Sequence, residues 1–442
     1  MNHPARSSRT TSIKTWGGNC NGELYSVNYP EYTDRKPFTD LPVLLSSQQE
    51  NVLKTIESIE KYKEEMTGWR RDIHAHPEIA FEEHRTARIV AEKLESFGIE
   101  VETGIAGTGV VGTLKKGRGN VAIGLRADLD ALPIQEANDF DHASVNPGKM
   151  HACGHDGHTT MLLGAAKYLA EESDFEGTVH FIFQPAEENE GGGRAMIEAG
   201  LFDKYPVESV FGMHNIPGMP VGTFAIKSGP MMAAFDIFRL TITGKGGHAA
   251  MPQFTIDPML VGTKIVEAYQ SIISRFIDPQ EPAVISVTQF HAGDAYNVIP
   301  NEVEIRGCTR CFSPKVQSLM EEKMRIMATE IARAYGAQAD FFYEKRYPAT
   351  INSKTESDVA GEVAASIVGA DRVNFNPKPA MGSEDFAFML QEKPGSYIWT
   401  GNGDGEGSCA VHNPGYDFND DVLPVGSTYW VRLVEKLLPS LS

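Results

Sequence analysis

The sequence predicts an α/β protein in which one sheet domain is interrupted by a smaller domain of ferredoxin-like topology. Three patterns support this prediction. Short apolar runs alternate with windows of helical periodicity up to about residue 229, a βαββαβ pattern follows, and the α/β pattern then resumes. We therefore expect the first part of the α/β domain at residues 51–229, the inserted domain at 230–345 and the second part at 346–442.

Composition narrows the classes of protein to which the chain can belong. Its 442 residues include 59 acidic and 40 basic side chains, a formal net charge of -19. A negative surface field repels phosphate backbones, so nucleic acid is not an expected partner. No apolar run approaches the ~20 residues of a spanning helix and no secretory signal begins the chain, so we expect a cytoplasmic protein without membrane association. The five cysteines, an odd and small number, are expected to be thiols in a reducing compartment.

The first 50 residues are predicted to form an extension outside the main core. They are rich in Ser, Thr, Asn, Gly and Pro and show no apolar period. The first 22 of them contain no acidic residue but several Arg, Lys, Ser and Thr, a composition shared with organelle transit peptides. An organelle therefore stays open as the alternative location.

Helices and strands are predicted in alternation after this extension. Apolar side chains recur at steps of three and four over residues 52–73, which predicts one amphipathic helix. A second helix is expected over residues 82–97, with Gly98 as its C-terminal cap. The other predicted elements of this part are strands at 121–125, 179–183 and 210–213 and helices at 159–170 and 194–199.

The inserted domain has its own order of elements. They are a strand at 235–242, a helix at 256–276, strands at 283–290 and 303–308, a helix at 314–335 and a strand at 339–343. This βαββαβ order is typical of a ferredoxin-like unit.

The densest group of reactive side chains lies just before a predicted helix. It comprises His151, Cys153, His155 and His158. Thiolate and imidazole are ligands that zinc, cobalt and nickel prefer, and the start of a helix favours a thiolate. The same residue types also pack well in protein interiors, so the cluster alone leaves a metal site and a polar cap with a buried thiol as equal alternatives.

Acidic side chains and a further histidine follow the predicted strands. Glu187 and Glu188 come after one run, His214 after the next and Asp128 after an earlier one. In open α/β sheets the carboxyl ends of the strands form the ligand crevice, so we expect these side chains to meet there. Asp128 is placed to orient a ligating imidazole, because metal-bound histidines usually donate their second N–H to a carboxylate or carbonyl.

Together these segments resemble the dinuclear-metal amidohydrolases. The resemblance rests on RRDIHAHPE at 70–78, RADLDALP at 126–133, MHACGHDGH at 150–158, QPAEE at 184–188, MHN at 213–215, GKGGHAAMP at 244–252, NVIPN at 297–301, MGSEDF at 381–386 and VHNP at 411–414. That family includes hippurate hydrolase, aminoacylases and auxin-conjugate hydrolases and, more distantly, carboxypeptidase G and succinyl-diaminopimelate desuccinylase. It implies a metallopeptidase-like catalytic α/β sheet domain and makes the inserted domain a dimerisation or lid domain.

The resemblance implies five metal ligands. Cys153 would bridge two divalent ions, with His155 and His214 on one ion and Glu188 and His412 on the other. The metal is expected to be zinc, manganese, cobalt or nickel. The ligands do not select one of them, because the availability of each metal helps to decide which ion is bound.

The resemblance also implies residues that act on the substrate. Glu187 is the implied general base, which takes a proton from the attacking water and delivers it to the departing amine. His248 is implied to stabilise the oxyanion, from a partner subunit in dimeric relatives. The implied substrate-binding residues are Asn297 and Arg310, which would hold the α-carboxylate, together with Gly382 and Ser383.

The implied activity is cleavage of an N-acyl amino acid into a carboxylic acid and a free amino acid. Carboxypeptidase or dipeptidase action and deacetylation of an N-acetyl-diaminopimelate-like amine would use the same site and stay open. The alternative outside the enzymes is a binding protein that has lost catalysis. The presence of the implied base and all five implied ligands counts against it. We expect a homodimer or higher homo-oligomer, since a histidine acting in trans requires one.

Overall fold

The structure is a computed structural model that describes residues 53–188, 190–403 and 409–440. The predicted extension at residues 1–50, which contains Cys20, lies outside the described residues. Within the described ranges, no helix has both the length and the apolar content needed to cross a bilayer.

Helices and strands alternate along the chain. The first part contains α1 (Glu57–Lys61), α2 (Lys63–Ala75), α3 (His84–Ser96), β1 (Glu100–Ile105), β2 (Gly109–Lys116), β3 (Ala122–Asp128), α4 (His155–Glu171), β4 (Gly177–Gln184), α5 (Gly192–Glu198), α6 (Leu201–Lys204), β5 (Ser209–Ile216), β6 (Phe224–Ala225) and β7 (Gly229–Met232). The middle part contains β8 (Ala234–Thr243), β9 (Gly247–His248), a 3-10 helix (Pro252–Phe254), α7 (Pro258–Arg275), β10 (Ala283–Ala292), β11 (Val298–Ile299), β12 (Glu302–Cys311), α8 (Pro314–Ala334) and β13 (Gln338–Tyr347). The last part contains β14 (Thr350–Asn352), α9 (Lys354–Val368), a 3-10 helix (Ala370–Arg372), β15 (Val373–Asn374), α10 (Phe386–Glu392), β16 (Gly395–Gly401) and α11 (Val422–Leu437).

A large, mostly parallel sheet is built from the first and last parts of the chain. Its strand order is β1-β2-β4-β3-β5-β16-β6-β15. The pairs β4–β3, β3–β5, β5–β16 and β6–β15 are parallel. Strands β4, β3 and β5 are almost fully buried, as expected for central strands of an α/β sheet, and α4 packs on β3 and against α11. The predicted mixed α/β fold is thus confirmed.

A second sheet is formed by the middle part of the chain. Its strand order is β10-β12-β8-β13, and all three pairs are antiparallel. Side chains along β8 alternate between buried and more exposed positions, and the buried ones pack with α7 and α8 in a core separate from that of the large sheet. The chain enters this sheet after β7 and leaves it before β14, and these two strands pair with each other. Both connections therefore run side by side.

Two details of local structure differ from the sequence predictions. The single helix predicted over residues 52–73 is instead two helices, α1 and α2, separated at Tyr62. The Tyr62 N–H is shared between the carbonyls of Ser58 and Ile59, which tightens the backbone at that point. Strands β1 and β2 were not predicted. Strand β1 is a half-exposed edge strand with no continuous apolar run, and the apolar residues of β2 are interrupted by glycine and followed by polar residues.

Candidate metal centre

The cysteine and histidine of the densest sequence cluster lie where the chain turns into α4. Gly154 precedes the helix with a φ of 93°, in the left-handed region. A Cβ atom at this position would lie 2.4 Å from Asn215 Oδ1 and 2.6 Å from the Tyr416 hydroxyl oxygen, so only glycine is accommodated. The tight turn places Cys153 and His155, both buried, at the positive end of the helix dipole.

All five implied metal ligands come together at this turn. Cys153 Sγ lies 3.3 Å from His214 Nε2, and His412 Nε2 lies 3.1 Å from Glu188 Oε1. Cys153 belongs to two sets of atoms that lie within 4.8 Å of one another. One set is completed by His155 and His214, and the other by Glu188 and His412. This grouping is the one that the resemblance implies, and the role of these residues as ligands stays a prediction.

Two of the segments that carry these side chains hold a non-glycine residue in the left-handed region. Ala186, just before the two glutamates, has a φ of 53°, and His412 has a φ of 66°. Such conformations cost about 1–3 kcal/mol and persist where the surroundings fix them. The His412 N–H donates to Ala152 O at 2.7 Å. This hydrogen bond ties the last implied ligand to the segment that carries Cys153.

Several buried polar atoms of the cluster have no hydrogen-bond partner among the described residues. They include both ring nitrogens of His155 and Glu188 Oε1, because the ion-pair contacts of His155 Nδ1 with Asp130 and of Glu188 Oε1 with His412 lack hydrogen-bond geometry. Buried polar atoms are nearly always paired, so unpaired atoms this close together indicate a place for a bound ion. Sulfur, imidazole nitrogen and carboxylate oxygen form a donor set that suits zinc and its neighbours. The residues present therefore fit divalent metal ions.

Burial dominates the proton affinities in this cluster. It raises the pKa of the Cys153 thiol well above its usual range, and the carboxylates of Glu188 and Glu187 raise it further. Burial also lowers the pKa of His214 well below its usual range, and the neighbouring His158 lowers it further. A neutral imidazole is ready to ligate, whereas the thiol needs a bound cation in order to serve as a thiolate.

Asp128 and Asp130 lie behind the cluster, at the end of β3. Asp128 Oδ1 accepts a hydrogen bond from His158 Nδ1 at 2.7 Å, and its Oδ2 is 3.8 Å from His155 Nε2. Asp128 therefore forms its short hydrogen bond with His158, which is not an implied ligand, and lies farther from the implied ligand His155. Asp130 Oδ1 lies 3.3 Å from His155 Nδ1. Burial lowers the pKa of His155, but Asp128 and Asp130 outweigh this effect and raise it to about 10.

Sequence reasoning missed Asp130. Its carboxylate accepts the backbone N–H of Glu187 at 3.0 Å and that of Glu188 at 2.9 Å. The pattern that could have found it is its position two residues after Asp128, because alternate side chains of an extended segment point to the same side.

Glu187, the implied general base, is buried beside the cluster. Its side chain is 7% exposed, and its Oε1 accepts the Asp385 N–H at 3.4 Å. Burial raises the pKa of Glu187 well above its usual range, and the carboxylates of Glu384 and Glu188 raise it further. A carboxyl group in this environment is suited to taking up and holding a proton.

Sequence reasoning also missed a buried arginine that binds the two acids grouped with Glu187. Arg126 on β3 donates to Glu384 Oε1 at 2.9 Å and to Asp385 Oδ1 at 3.0 Å. These acids belong to the MGSEDF segment, more than 250 positions away along the chain. In the sequence, Arg126 only opens the segment after a predicted strand, and nothing there indicates its distant partners.

The cluster opens into a cavity of about 1060 Å³ whose walls come from both sheets. Arg310, Gly382 and Ser383 line this cavity together with four of the five implied ligands, Cys153, Glu188, His214 and His412. Arg310 Nη1 donates to Met381 O and to Ser383 Oγ, both at 3.2 Å. Its guanidinium carbon lies 4.1 Å from the centre of the Phe235 ring. Three of the predicted substrate-binding residues therefore share one space with the cluster.

His248 and Asn297 are not among the residues that line this cavity. His248 lies on the short β9–β11 ladder, where it pairs with Val298, and Asn297 directly precedes β11 and accepts the Ala249 N–H at its backbone oxygen at 3.0 Å. Both residues are exposed. Within the described chain they lie away from the cavity lining, and their role at the site stays a prediction.

The described cysteines differ in oxidation state. Cys153, Cys308 and Cys311 are free thiols, as expected. Cys409 is disulfide-bonded, which corrects the expectation of a thiol at that position. The number of cysteines in a chain does not determine the oxidation state of an individual cysteine.

The family model, the similar sequences and the similar structures all indicate the same protein family. Residues 124–436 match the model of peptidase family M20/M25/M40. The hippurate hydrolase of Campylobacter jejuni is 43% identical over 369 residues, which cover 84% of this chain and 95% of that protein. The N-acetylcysteine deacetylase of Bacillus subtilis is 39% identical over 378 residues, which cover 85% of this chain and 97% of that protein. The crystal structure of the Bacillus subtilis YXEP protein, a dinuclear metal-binding peptidase of the M20 family, superposes with a TM-score of 0.76 at 36% identity and covers 86% of this chain and 100% of that chain. These matches confirm the resemblance, and the chain belongs to peptidase family M20/M25/M40.

Proposed function

We propose that the protein is a metal-dependent amidohydrolase that cleaves N-acyl amino acids into a carboxylic acid and a free amino acid. The observation that carries this proposal is the shared cavity, which is lined by Cys153, Glu187 and Arg310. Hydrolysis of an amide next to a carboxylate requires a metal-binding group, a proton acceptor and a positive anchor, and this cavity holds all three. Two relatives are named for substrates of this class, hippurate and N-acetylcysteine.

The five clustered side chains are the proposed ligands of two divalent ions. Cys153 would contact both ions, His155 and His214 one of them, and Glu188 and His412 the other. When bound, the ions supply Lewis acidity that activates water and polarises the scissile carbonyl. Zinc, manganese, cobalt and nickel are all compatible with this donor set.

Glu187 is the proposed general base. Its carboxylate takes a proton from the attacking water and later delivers that proton to the amine as the carbon–nitrogen bond breaks. Burial beside Glu384 and Glu188 raises its pKa, which favours retention of the proton between the two steps.

Arg310 is the proposed anchor for the α-carboxylate of the substrate. Met381 O and Ser383 Oγ hold one edge of its guanidinium, and the Phe235 ring supports one face. A guanidinium fixed in this way presents a planar fork that matches a carboxylate. Gly382 and Ser383 are proposed to contact the same end of the substrate.

The acyl group is proposed to occupy the apolar part of the cavity. The wall there includes Ile216, Met219, Phe224 and Trp399. Trp399 is the register partner of His214 across the β5–β16 pair, so this wall begins beside the metal cluster. Because burial contributes about 0.8 kcal/mol per CH₂ group, the wall favours an aromatic acyl group over an acetyl group.

A second copy of the chain is the proposed source of His248 and Asn297 at the site. Both lie within residues 230–345, which we propose to be an inserted lid and dimerisation domain. Its strand β10 is an edge of the four-stranded sheet, and Phe254 and Val298 of this region are 65% and 53% exposed. An open strand edge and exposed apolar side chains elsewhere in the same region both favour contact with another copy of the chain. The homodimer, expected from a histidine acting in trans, stays a prediction that size measurement tests. The cytoplasmic location, expected from the sequence, stays a prediction that cell fractionation tests.

The test of the proposed function is amine release from a panel of substrates after removal and re-addition of metal. The panel contains benzoyl-glycine, N-acetyl amino acids, indole-acetyl amino acids and dipeptides, and the chelated enzyme is reconstituted with zinc, manganese or cobalt. We expect metal-restored cleavage of benzoyl-glycine at a higher kcat/KM than N-acetyl-glycine. Cleavage of dipeptides alone would identify a peptidase instead, and no cleavage of any substrate by the metal-loaded protein would contradict the proposal.

A further inference from the structure

The segment between β4 and α5 carries both Glu187 and Glu188, and its backbone is held from two sides. On one side, Asp130 accepts the N–H groups of both glutamates. On the other side, the Tyr347 hydroxyl donates to Glu187 O at 2.6 Å and accepts the Gly191 N–H at 3.1 Å. One hydroxyl group thus joins the middle of the segment to its end.

Tyr347 is the last residue of β13 and belongs to the four-stranded sheet, not to the sheet that carries Glu187. It pairs in register with Phe235 on β8, and Phe235 pairs in turn with Arg310 on β12. The Tyr347 and Phe235 rings meet edge to face with centroids 6.4 Å apart, and the Arg310 guanidinium stacks on Phe235. A row of three side chains therefore leads from the proposed carboxylate anchor to the segment that carries the proposed base.

The Tyr347 side chain is fixed on its other side as well. It is 4% exposed, and its ring meets the Phe388 ring of α10 with centroids 6.2 Å apart. A tyrosine packed between two aromatic rings has little freedom to move its hydroxyl, so the Glu187 carbonyl is held at a fixed place relative to Arg310.

We propose that Tyr347 is a positioning residue for the reaction, which sets the place of Glu187 relative to a substrate anchored on Arg310. This inference rests on the proposed function. Tyr347 acts through the backbone of Glu187 and exchanges no proton with the substrate. Because a displacement of about 1 Å of a reacting group can lower a rate about 100-fold, loss of the hydroxyl should slow the chemical step more than it weakens binding.

The variant that tests this inference is Tyr347→Phe, which removes the two hydrogen bonds and keeps the ring. We expect kcat for the substrate found with the panel to fall by about 10- to 100-fold. We expect KM to stay within about twofold, because Arg310 is unchanged and the ring at position 347, which lines the cavity, is kept. A residue with a merely structural role would not divide its effect between kcat and KM in this way.

The matched control is Tyr343→Phe on the same strand. The Tyr343 hydroxyl donates to Asp236 Oδ2 at 2.7 Å and lies 2.6 Å from Thr309 Oγ1, all within the four-stranded sheet. This variant loses the same chemical group from the same sheet and should keep kcat. A second variant, Phe388→Leu, loosens the Tyr347 ring while leaving its hydroxyl in place and should lower kcat in the same direction by less.

Hydrogen exchange supplies a readout that needs no turnover. In Tyr347→Phe the amides of residues 190–193 should exchange about fivefold faster, because the Gly191 N–H loses its acceptor and a hydrogen bond contributes about 1 kcal/mol, and in Tyr343→Phe they should not. Unchanged exchange in Tyr347→Phe, wild-type kcat, or an equal loss of kcat in Tyr343→Phe would overturn the inference. If the wild-type protein hydrolyses no amide while exchange responds as expected, the proposed function fails and the positioning of the segment by Tyr347 stands.

Discussion

Cys153 Sγ and His214 Nε2 lie 3.3 Å apart, although the two residues are 61 positions apart in the sequence. Cys153 comes from the turn into α4, and His214 from within β5 of the large sheet. Both sets of clustered ligand atoms that fit the implied ions contain Cys153. This thiol is therefore the side chain on which both proposed metal positions depend.

Replacing Cys153 by serine is expected to remove both metal ions. A serine hydroxyl ionises far less readily than a thiol and is a poor ligand for zinc and its neighbours. We expect metal content, measured by elemental analysis, to fall from two ions per chain to less than one, and amide hydrolysis to fall by at least about 100-fold. The matched control is Cys308→Ser, which removes a free thiol on β12. Equal losses in the two variants would contradict the assignment of Cys153.

Replacing Arg310 by methionine is expected to weaken substrate binding. A hydrogen bond to a charged group contributes about 1.5–3 kcal/mol, so KM for an N-acyl amino acid should rise by about 10- to 150-fold. The same substrate with its carboxylate capped as an amide should be affected much less. Arg306→Met is the control, because Arg306 lies on the same strand and pairs with Glu304 at the surface. An unchanged preference for the free carboxylate in Arg310→Met would show that another residue anchors it.

His74 is expected to make the stability of the protein depend on pH. It is fully buried, and its ring nitrogens lie 2.8 Å from Asp156 Oδ2 and 3.2 Å from Glu136 Oε1. Burial lowers the pKa of His74, but these two carboxylates outweigh that effect and raise it to about 9. Because the pKa in the folded state exceeds the unfolded value of about 6.5, the stabilisation is complete below about pH 6.5 and is lost as the pH rises through about 9.

Denaturant unfolding between pH 6 and pH 10 measures this contribution. The wild-type free energy of unfolding should fall by roughly 1–3 kcal/mol across that range on account of His74. His74→Gln should be less stable at pH 6 and should show a shallower fall with pH. His76→Gln, at the more exposed C-terminal cap of the same helix, should keep the wild-type slope. Identical slopes in the wild type and His74→Gln would rule out this role.

The parts of the site that lie in short segments were predictable from the sequence. Cys153 and His155 flank Gly154 at a helix start, and Glu187 and Glu188 follow a buried strand, so residue type and the end of an element together indicated their chemistry. His214 was expected just after its strand and lies within β5, because the apolar run ends before the hydrogen-bonded strand does.

The parts that depend on the pairing of distant strands were not predictable. The row from Tyr347 through Phe235 to Arg310 exists only because β13, β8 and β12 pair in one particular register. The contacts of Arg126 with the MGSEDF acids likewise join segments that only the fold brings together. His248 belongs to a recognisable sequence motif but does not line the cavity of its own chain. A motif does not show whether a residue acts in its own chain or in a partner.

Turnover and metal content of Glu187→Gln, measured side by side with benzoyl-glycine as the substrate, test the account most directly. Glutamine keeps the size of the side chain and removes its ability to accept the proton. We expect two bound ions per chain, as in the wild type, and a kcat lowered by at least about 1000-fold, within the range that general-base catalysis contributes. Glu198→Gln, at an exposed position on α5, should keep both activity and metal. A Glu187→Gln protein that binds its metal and retains the wild-type kcat would contradict the proposed mechanism.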